Sequence, residues 1–389
     1  FPNLHTIGPN IKFYTKNNVR ALFMQATGNK GEFGHLRAYL ICKLMWDPDA
    51  DPDAIINDFL NGYYGSAGPY IGEYIDTMRQ SLLNSDFKLK IFGDPRDAMD
   101  NYLSADMMKE YKRMFDRAEE AVENDPQLLT RVRVARLPLM IAEVQIAGQV
   151  KVDMPRSFYK TSENGMVIPK PEMKTLLNQF VERAREAGIA RIGERAITLD
   201  DYWENFKRIF ARMDGMDQAI SHKKKIIPIT TPAKGPAEAE RLTDGIFGAF
   251  ESWRFPDKDV NWVAYKGVHM DFVLDLGEVM PVKSIEMDFL NVQAQANWHT
   301  LILPRYVTYA TSVDGDTYEK AIKISNSLNP NPAENPDITK IPFHSFATTL
   351  DNRNASYNKV HAESHLRMPS WHINAGRPAA IYSAEIVVS

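Results

Sequence analysis

The chain has 389 residues, 44% hydrophobic and 25% charged, with a formal net charge of −4 at pH 7. This is the composition of a folded globular protein with room for two or three domains, and its mild acidity excludes a general attraction for nucleic acid. The single cysteine, Cys42, excludes an intrachain disulfide, and no apolar run reaches the ~18 residues that a membrane-spanning helix needs.

In chain order, residues 6–17 read as a short helix, and residues 19–24 as an apolar run with strand character. A loop containing Gly28, Gly31, Glu32 and Gly34 follows, then an apolar-periodic helix over 35–45. Strand, glycine loop and helix make the βα unit of a barrel or an open parallel sheet, where the loop after the strand carries chemistry. Glu32 is the only carboxylate in that loop. It is the candidate acid, base or substrate-binding group; the alternative is a structural or peripheral residue. Glycosidase chemistry needs two carboxylates flanking the bond, and no convincing partner is visible nearby. The string Asp47, Asp49, Asp51, Asp53 reads as turn and helix-cap chemistry. One βα unit cannot close a barrel, so it either packs on the helices that follow or ends something longer. Cys42 reads as a small buried hydrophobe on an apolar helical face.

Residues 66–215 are helical almost throughout. Asp51-Pro52 and Asp94-Pro95 start helices, with a cap and a proline at the first helical position. Pro138 should kink a long helix. Residues 151–171 look irregular. The last helix, over 199–213, is capped by Thr198 and Asp201 and buries Tyr202, Trp203, Phe206, Ile209, Phe210 and Met213. At 221 the texture changes: 223–239 is basic and then proline-rich, an extended connector. Period-two stretches follow at 270–276, 283–290, 306–312, 320–324, 365–368 and 384–388, separated by turn residues. This predicts an antiparallel sandwich.

Three groups of residues in the sandwich bear on chemistry. Asp244, in the turn Leu242-Thr243-Asp244-Gly245, and the late Glu385 could share a calcium ion; the alternative is an ordinary turn and a surface carboxylate. Trp298, within the polar stretch at 293–300, has Gln295, Asn297 and His299 beside it. Together they supply a ring for a sugar face and partners for its hydroxyls; the alternative is a tryptophan closing the sandwich end. Trp253 and Trp262 read as core. The histidines at 344, 361, 365 and 372 are scattered without metal-ligand spacing, so no zinc centre is expected.

Two resemblances sharpen this reading. The words LTDG at 242–245, FVLDLGEVMPVKSIEM at 272–287, PRYVTYATSVDG at 304–315 and SAEIVV at 383–388 resemble a coagulation factor 5/8 type C (discoidin-like) domain. That fold is shared with family 32 carbohydrate-binding modules. The resemblance implies a jelly-roll, galactose-binding-like sandwich over 240–389, with Asp244 and Glu385 at positions that often bind a structural calcium. RALFMQ at 20–25, GEFGHLRAYLICKLMWDPDAD at 31–51 and FLNGYYGSAGPYI at 59–71 resemble domain of unknown function 4838, a bacterial glycosidase-like family. That implies the end of a TIM-barrel-like domain, with Glu32 at its active-site end and most of the barrel upstream of Phe1.

The expected fold is therefore multidomain α + β: a barrel tail over 1–65, a helical domain over 66–220, a linker over 221–239 and the sandwich over 240–389. The expected function is that of the C-terminal portion of a carbohydrate-active protein, a glycoside hydrolase in its parent form. Its partner is a polysaccharide or glycan, and its location the periplasm, cell surface or exterior, with the export signal outside this chain. Alternatives are a non-catalytic glycan-binding surface protein and a purely structural sandwich. Beyond calcium, no cofactor is expected.

Overall fold

A computed structural model describes residues 2–24, 31, 33–90, 93–193, 197–233, 239–250, 259–292 and 299–389. It divides into two compact units, one of residues 1–158 with 170–190 and one of residues 159–169 with 191–389. The domain plan expected from sequence differs in several places; residues 1–65, for one, share a unit with the helices that follow them. The helix over 199–214 belongs to the sandwich unit, and the expected linker carries a strand of the sheet.

The first unit is helical. Its elements are α1 (Ile7–Lys16), α2 (Gly34–Trp46), α3 (Pro52–Tyr64), α4 (Gly68–Leu83), α5 (Ala105–Glu120) and α6 (Pro126–Ala147). Asp51 caps α3 as the sequence announces, accepting the Asp53 N–H, and Asp125 caps α6 in the same way, accepting those of Gln127 and Leu128. α6 runs on through Pro138. In α2 the buried positions are Leu36, Leu40 and Leu44, one turn apart. Cys42 falls off that stripe and is exposed, against expectation. The strand expected at 19–24 does not form among the described residues: Val19 is 41% and Phe23 90% exposed, with no neighbouring strand to take the backbone groups. Glu32 lies outside the described residues.

The second unit holds the short hairpin β1 (Tyr159–Thr161) and β2 (Val167–Pro169), within the stretch read as irregular. Helix α7 (Pro171–Glu186) belongs to the first unit; α8 (Leu199–Asp214) opens the rest of the second. Seven strands follow among the described residues: β3 (Lys225–Pro228), β4 (Val263–Lys266), β5 (Met270–Leu290), β6 (Tyr306–Ser312), β7 (Ile322–Ser325), β8 (Phe343–Ala362) and β9 (Ala380–Val388). All pairings are antiparallel. The stretches expected at 270–276 and 283–290 are one strand. It is interrupted by a register shift between Asp275 and Met280, where Gly277 takes φ +83°. Its first half pairs with β3 and its second with β9, so β5 and β8 pass from one layer to the other. Residues 365–368 form no strand.

Alternation along β5 buries Phe272, Leu274, Ile285, Met287 and Phe289 in one core with Val307, Tyr309, Phe346, Val360 and Ile386. The Tyr309 hydroxyl donates to the Phe346 carbonyl at 2.7 Å, tying β6 to the far half of β8. Glu286 and Asp288 point the other way, toward α8. Arg208 donates to Asp288 at 3.0 Å and Arg212 to Glu286 at 2.7 Å. Trp262 is buried, as expected of a core residue, and stacks on Phe343 at 5.9 Å.

Candidate functional site

The register gathers the chemistry-bearing residues of the sandwich at one end. β5 begins there and β8 finishes opposite it, with Asp271 facing His361 and Met270 facing Ala362. β6 begins beside them, with Val307 facing Ala362. Because Met270, Phe272, Val360, Ala362 and Val307 point inward, their neighbours Asp271, His361, Glu363 and Tyr306 share the outer face.

This face carries a bonded network. His361 is held at both ring nitrogens, Nδ1 by Asp271 at 2.6 Å and Nε2 by Glu363 at 3.0 Å. Glu363 also lies 3.3 Å from His269 Nδ1. Burial, and after it the Glu363 charge, raises the Tyr306 hydroxyl above its ordinary pKa. The Tyr306 and His361 rings stand 5.8 Å apart. Arg305 Nε donates to His365 Nδ1 at 3.4 Å, and burial together with Arg305 pushes the His365 imidazole down to about 4.

Beyond Glu363 the chain forms a hairpin-like loop over 364–379. It is closed by the Met368 N–H on Arg377 and the Ala379 N–H on Leu366. Leu366 takes φ +58°, an uncommon conformation for a bulky side chain. The loop presents Trp371, 36% exposed, and Ile373, 63% exposed, while His372 is buried beneath, accepting the Asn374 N–H. His299 and Thr300 reach the same end, since Ala380 donates to the Thr300 carbonyl at 2.6 Å and Leu301 bridges to Ala380. Of the sugar-contact residues expected from sequence, His299 is therefore placed here, half-buried. Trp298, Gln295 and Asn297 lie outside the described residues. The His361 network escaped sequence reading because its members come from three strands; the only signal was their position at strand ends.

A second cluster lies on the outer face of β9. Glu385 is fully buried and accepts the Gly245 N–H through Oε2 at 3.1 Å, while its Oε1 is buried with no partner. Asp244 accepts the Ile246 N–H and lies 3.6 Å from Arg241. Burial pushes Asp244 up to about 7 and raises Glu385 well above the usual carboxylate range, with Asp244 adding to the rise. The two carboxylates expected to act together are thus adjacent. Burial, an orphaned oxygen and mutual repulsion are what a hard divalent cation relieves, so these residues fit calcium.

Part of the chain is similar to the following solved structures, among others. The lectin domain of lectinolysin, complexed with Lewis b antigen, is 12% identical, with 44% of this chain and 96% of that one covered and a TM-score of 0.29. A Streptococcus pneumoniae fucose-binding module is 13% identical, with coverages of 44% and 97% and a TM-score of 0.28. A family 32 carbohydrate-binding module from Clostridium perfringens, in complex with GalNAc-β-1,3-galactose, is 13% identical, with coverages of 43% and 94% and a TM-score of 0.27. No curated protein matches the chain. Among the described residues no helix is long and apolar enough to cross a membrane. Residues 1–76 match the family described as domain of unknown function (DUF4838).

Proposed function

We propose that the sandwich holds glycan, as the binding part of a carbohydrate-active protein. The observation that carries this is the composition of the strand-end face. An exposed Trp371 and a half-buried Tyr306 offer rings to the C–H faces of a sugar. His299, Arg305, Glu363 and His365 at the same end of the sandwich offer donors and acceptors to hydroxyls. Aromatic walls with a few placed polar groups are how small polar ligands are held. The resemblance of 240–389 to discoidin-like modules supports the same reading. Tethering through this face would raise the local concentration of a polymeric substrate. A hydrolytic role rests on Glu32, near which no convincing partner carboxylate is visible in the sequence, so holding glycan is the reading the geometry supports best.

Calcium at Asp244 and Glu385 is part of the proposal, as a brace between the turn at 244–246 and β9. The test is binding of the full chain to a panel of plant and host polysaccharides, with calcium and with chelator. Binding to one glycan class, weakened at least tenfold by Trp371→Ala or Trp298→Ala, is expected. Absence of binding across the panel would overturn the reading and leave the sandwich as a structural brace. Unchanged thermal stability on chelation would remove calcium from it.

A further inference from the structure

Among the described residues, one group of histidine and carboxylate side chains has the spacing of a metal centre. His269, His361 and Glu363 each direct one ligand atom to within 4.8 Å of the others. Glu363 Oε2 stands 3.0 Å from His361 Nε2 and 3.3 Å from His269 Nδ1. Zinc bonds of ~2.0–2.2 Å at tetrahedral angles place neighbouring ligand atoms about 3.3–3.6 Å apart. The trio needs only small rotations to close on an ion.

The surroundings are those of a ligand set. His361 Nδ1 is bonded to the Asp271 carboxylate at 2.6 Å, which fixes the ring and aims Nε2 into the trio. A carboxylate behind a ligating histidine is the usual outer partner of zinc. The residues sit on adjacent strand ends of one rigid sheet, and their side chains are only 19–30% exposed. Closing on an ion gives up the Ser364 N–H on His269 Nδ1 at 3.2 Å and exchanges the Glu363 contacts with His361 Nε2 and His269 Nδ1 for metal bonds.

We propose that His269, His361 and Glu363 bind a divalent transition metal of the zinc class, with Asp271 as the positioning residue of His361. Two imidazoles and one carboxylate suit zinc rather than calcium, which prefers oxygen ligands only. Three protein ligands leave a fourth position open toward solvent, on the face where glycan binding is proposed. The metal site does not depend on that reading, since it is tested without glycan.

The experiment is calorimetric titration of the tag-free, chelator-treated full chain with zinc chloride, with bound metal counted after dialysis by elemental analysis. One zinc per chain is expected at this site. His361→Ala and His269→Ala should each lose it, and Asp271→Asn should weaken it 10–100-fold while keeping the stoichiometry. Excess calcium should not compete. Circular dichroism of the metal-free variants checks that they fold; Glu363→Gln, which keeps shape, stands in for either histidine variant that does not. Cobalt(II) substituted at the site should show the visible absorption of a four-coordinate complex. Failure of the wild-type chain to retain zinc, or wild-type retention in all the ligand variants, would overturn the proposal. Zinc retention without glycan binding would overturn only the glycan reading, and glycan binding without zinc only this one.

Discussion

Replacing Arg208 by methionine keeps most of the side-chain stem and removes the charge that docks α8 onto the sandwich. Arg208 donates to Asp288 at 3.0 Å and to the Gly248 carbonyl at 3.2 Å, and its guanidinium lies 3.7 Å from the centre of the Phe343 ring. Asp288 is 6% exposed. After the change Arg212, at 3.5 Å, is the cation left beside it among the described residues. A hydrogen bond to a charged group is worth about 1.5–3 kcal/mol and a shielded cation–π contact about 0.5–2 kcal/mol, with Arg212 recovering part. The net expectation is about 3 kcal/mol, or roughly a hundredfold in the opening equilibrium. Two compact units need not unfold together, so the assay is native-state hydrogen exchange read by mass spectrometry on α8 and β5 peptides. Peptides of α5 serve as the internal control. Adding Asp288→Asn should restore about 1 kcal/mol by removing the orphaned buried charge. Lys340→Met, which breaks an exposed pair with Asp337, should leave exchange as in wild type. The reasoning fails if Arg208→Met behaves like Lys340→Met, or if Asp288→Asn deepens the loss.

Three further outcomes are expected. Tyr309→Phe strands the buried Phe346 carbonyl that its hydroxyl serves and should cost about 1–2 kcal/mol, read by exchange at β6 and the far half of β8. Gly65→Ala puts a Cβ 2.8 Å from Leu128 at φ +56°, ψ −131°, a region essentially reserved for glycine. A loss of about 1–3 kcal/mol should appear as faster exchange in α3 and α4, and unchanged exchange there would refute it. Burial lowers the pKa of His372 below its ordinary value of 6.5. The folded state therefore favours the neutral ring: its contribution is complete above 6.5 and declines as pH falls below it. His372→Gln should flatten the acid limb of the sandwich unit's stability, and an equally steep limb in the variant would show that other groups set it.

Helix starts were legible because capping is local. Asp51, Asp125 and Thr198 each satisfy an amide two or three residues on, and such short-range chemistry is written in adjacent letters. The stripe in α8 was equally plain: Tyr202, Phe206, Ile209 and Met213 are buried as read, while Trp203 and Phe210 are only half-buried at the edges. The pairing of Asp244 with Glu385 was read as two carboxylates at strand ends and was strengthened by a resemblance; nothing local shows it, since 140 residues separate Gly245 from the carboxylate it bonds. Strand lengths were misjudged because the bulge at Gly277 interrupts the alternation without ending the strand. The run at 19–24 looked like a strand because a short apolar stretch with a valine and a phenylalanine encodes a preference, whereas a strand also requires a neighbour.

The sequence by itself determined where helices begin, which faces they bury, and that the C-terminal half is built of short-period strands, because these follow from interactions within a few residues. Only the tertiary structure decided that α8 docks on the sandwich and that the supposed linker supplies an edge strand. It alone brought His269, Asp271, His361 and Glu363 together, up to 94 residues apart in the chain. Cross-strand register brings distant residues into contact, and register is set by the packing of the whole sheet rather than by any local word.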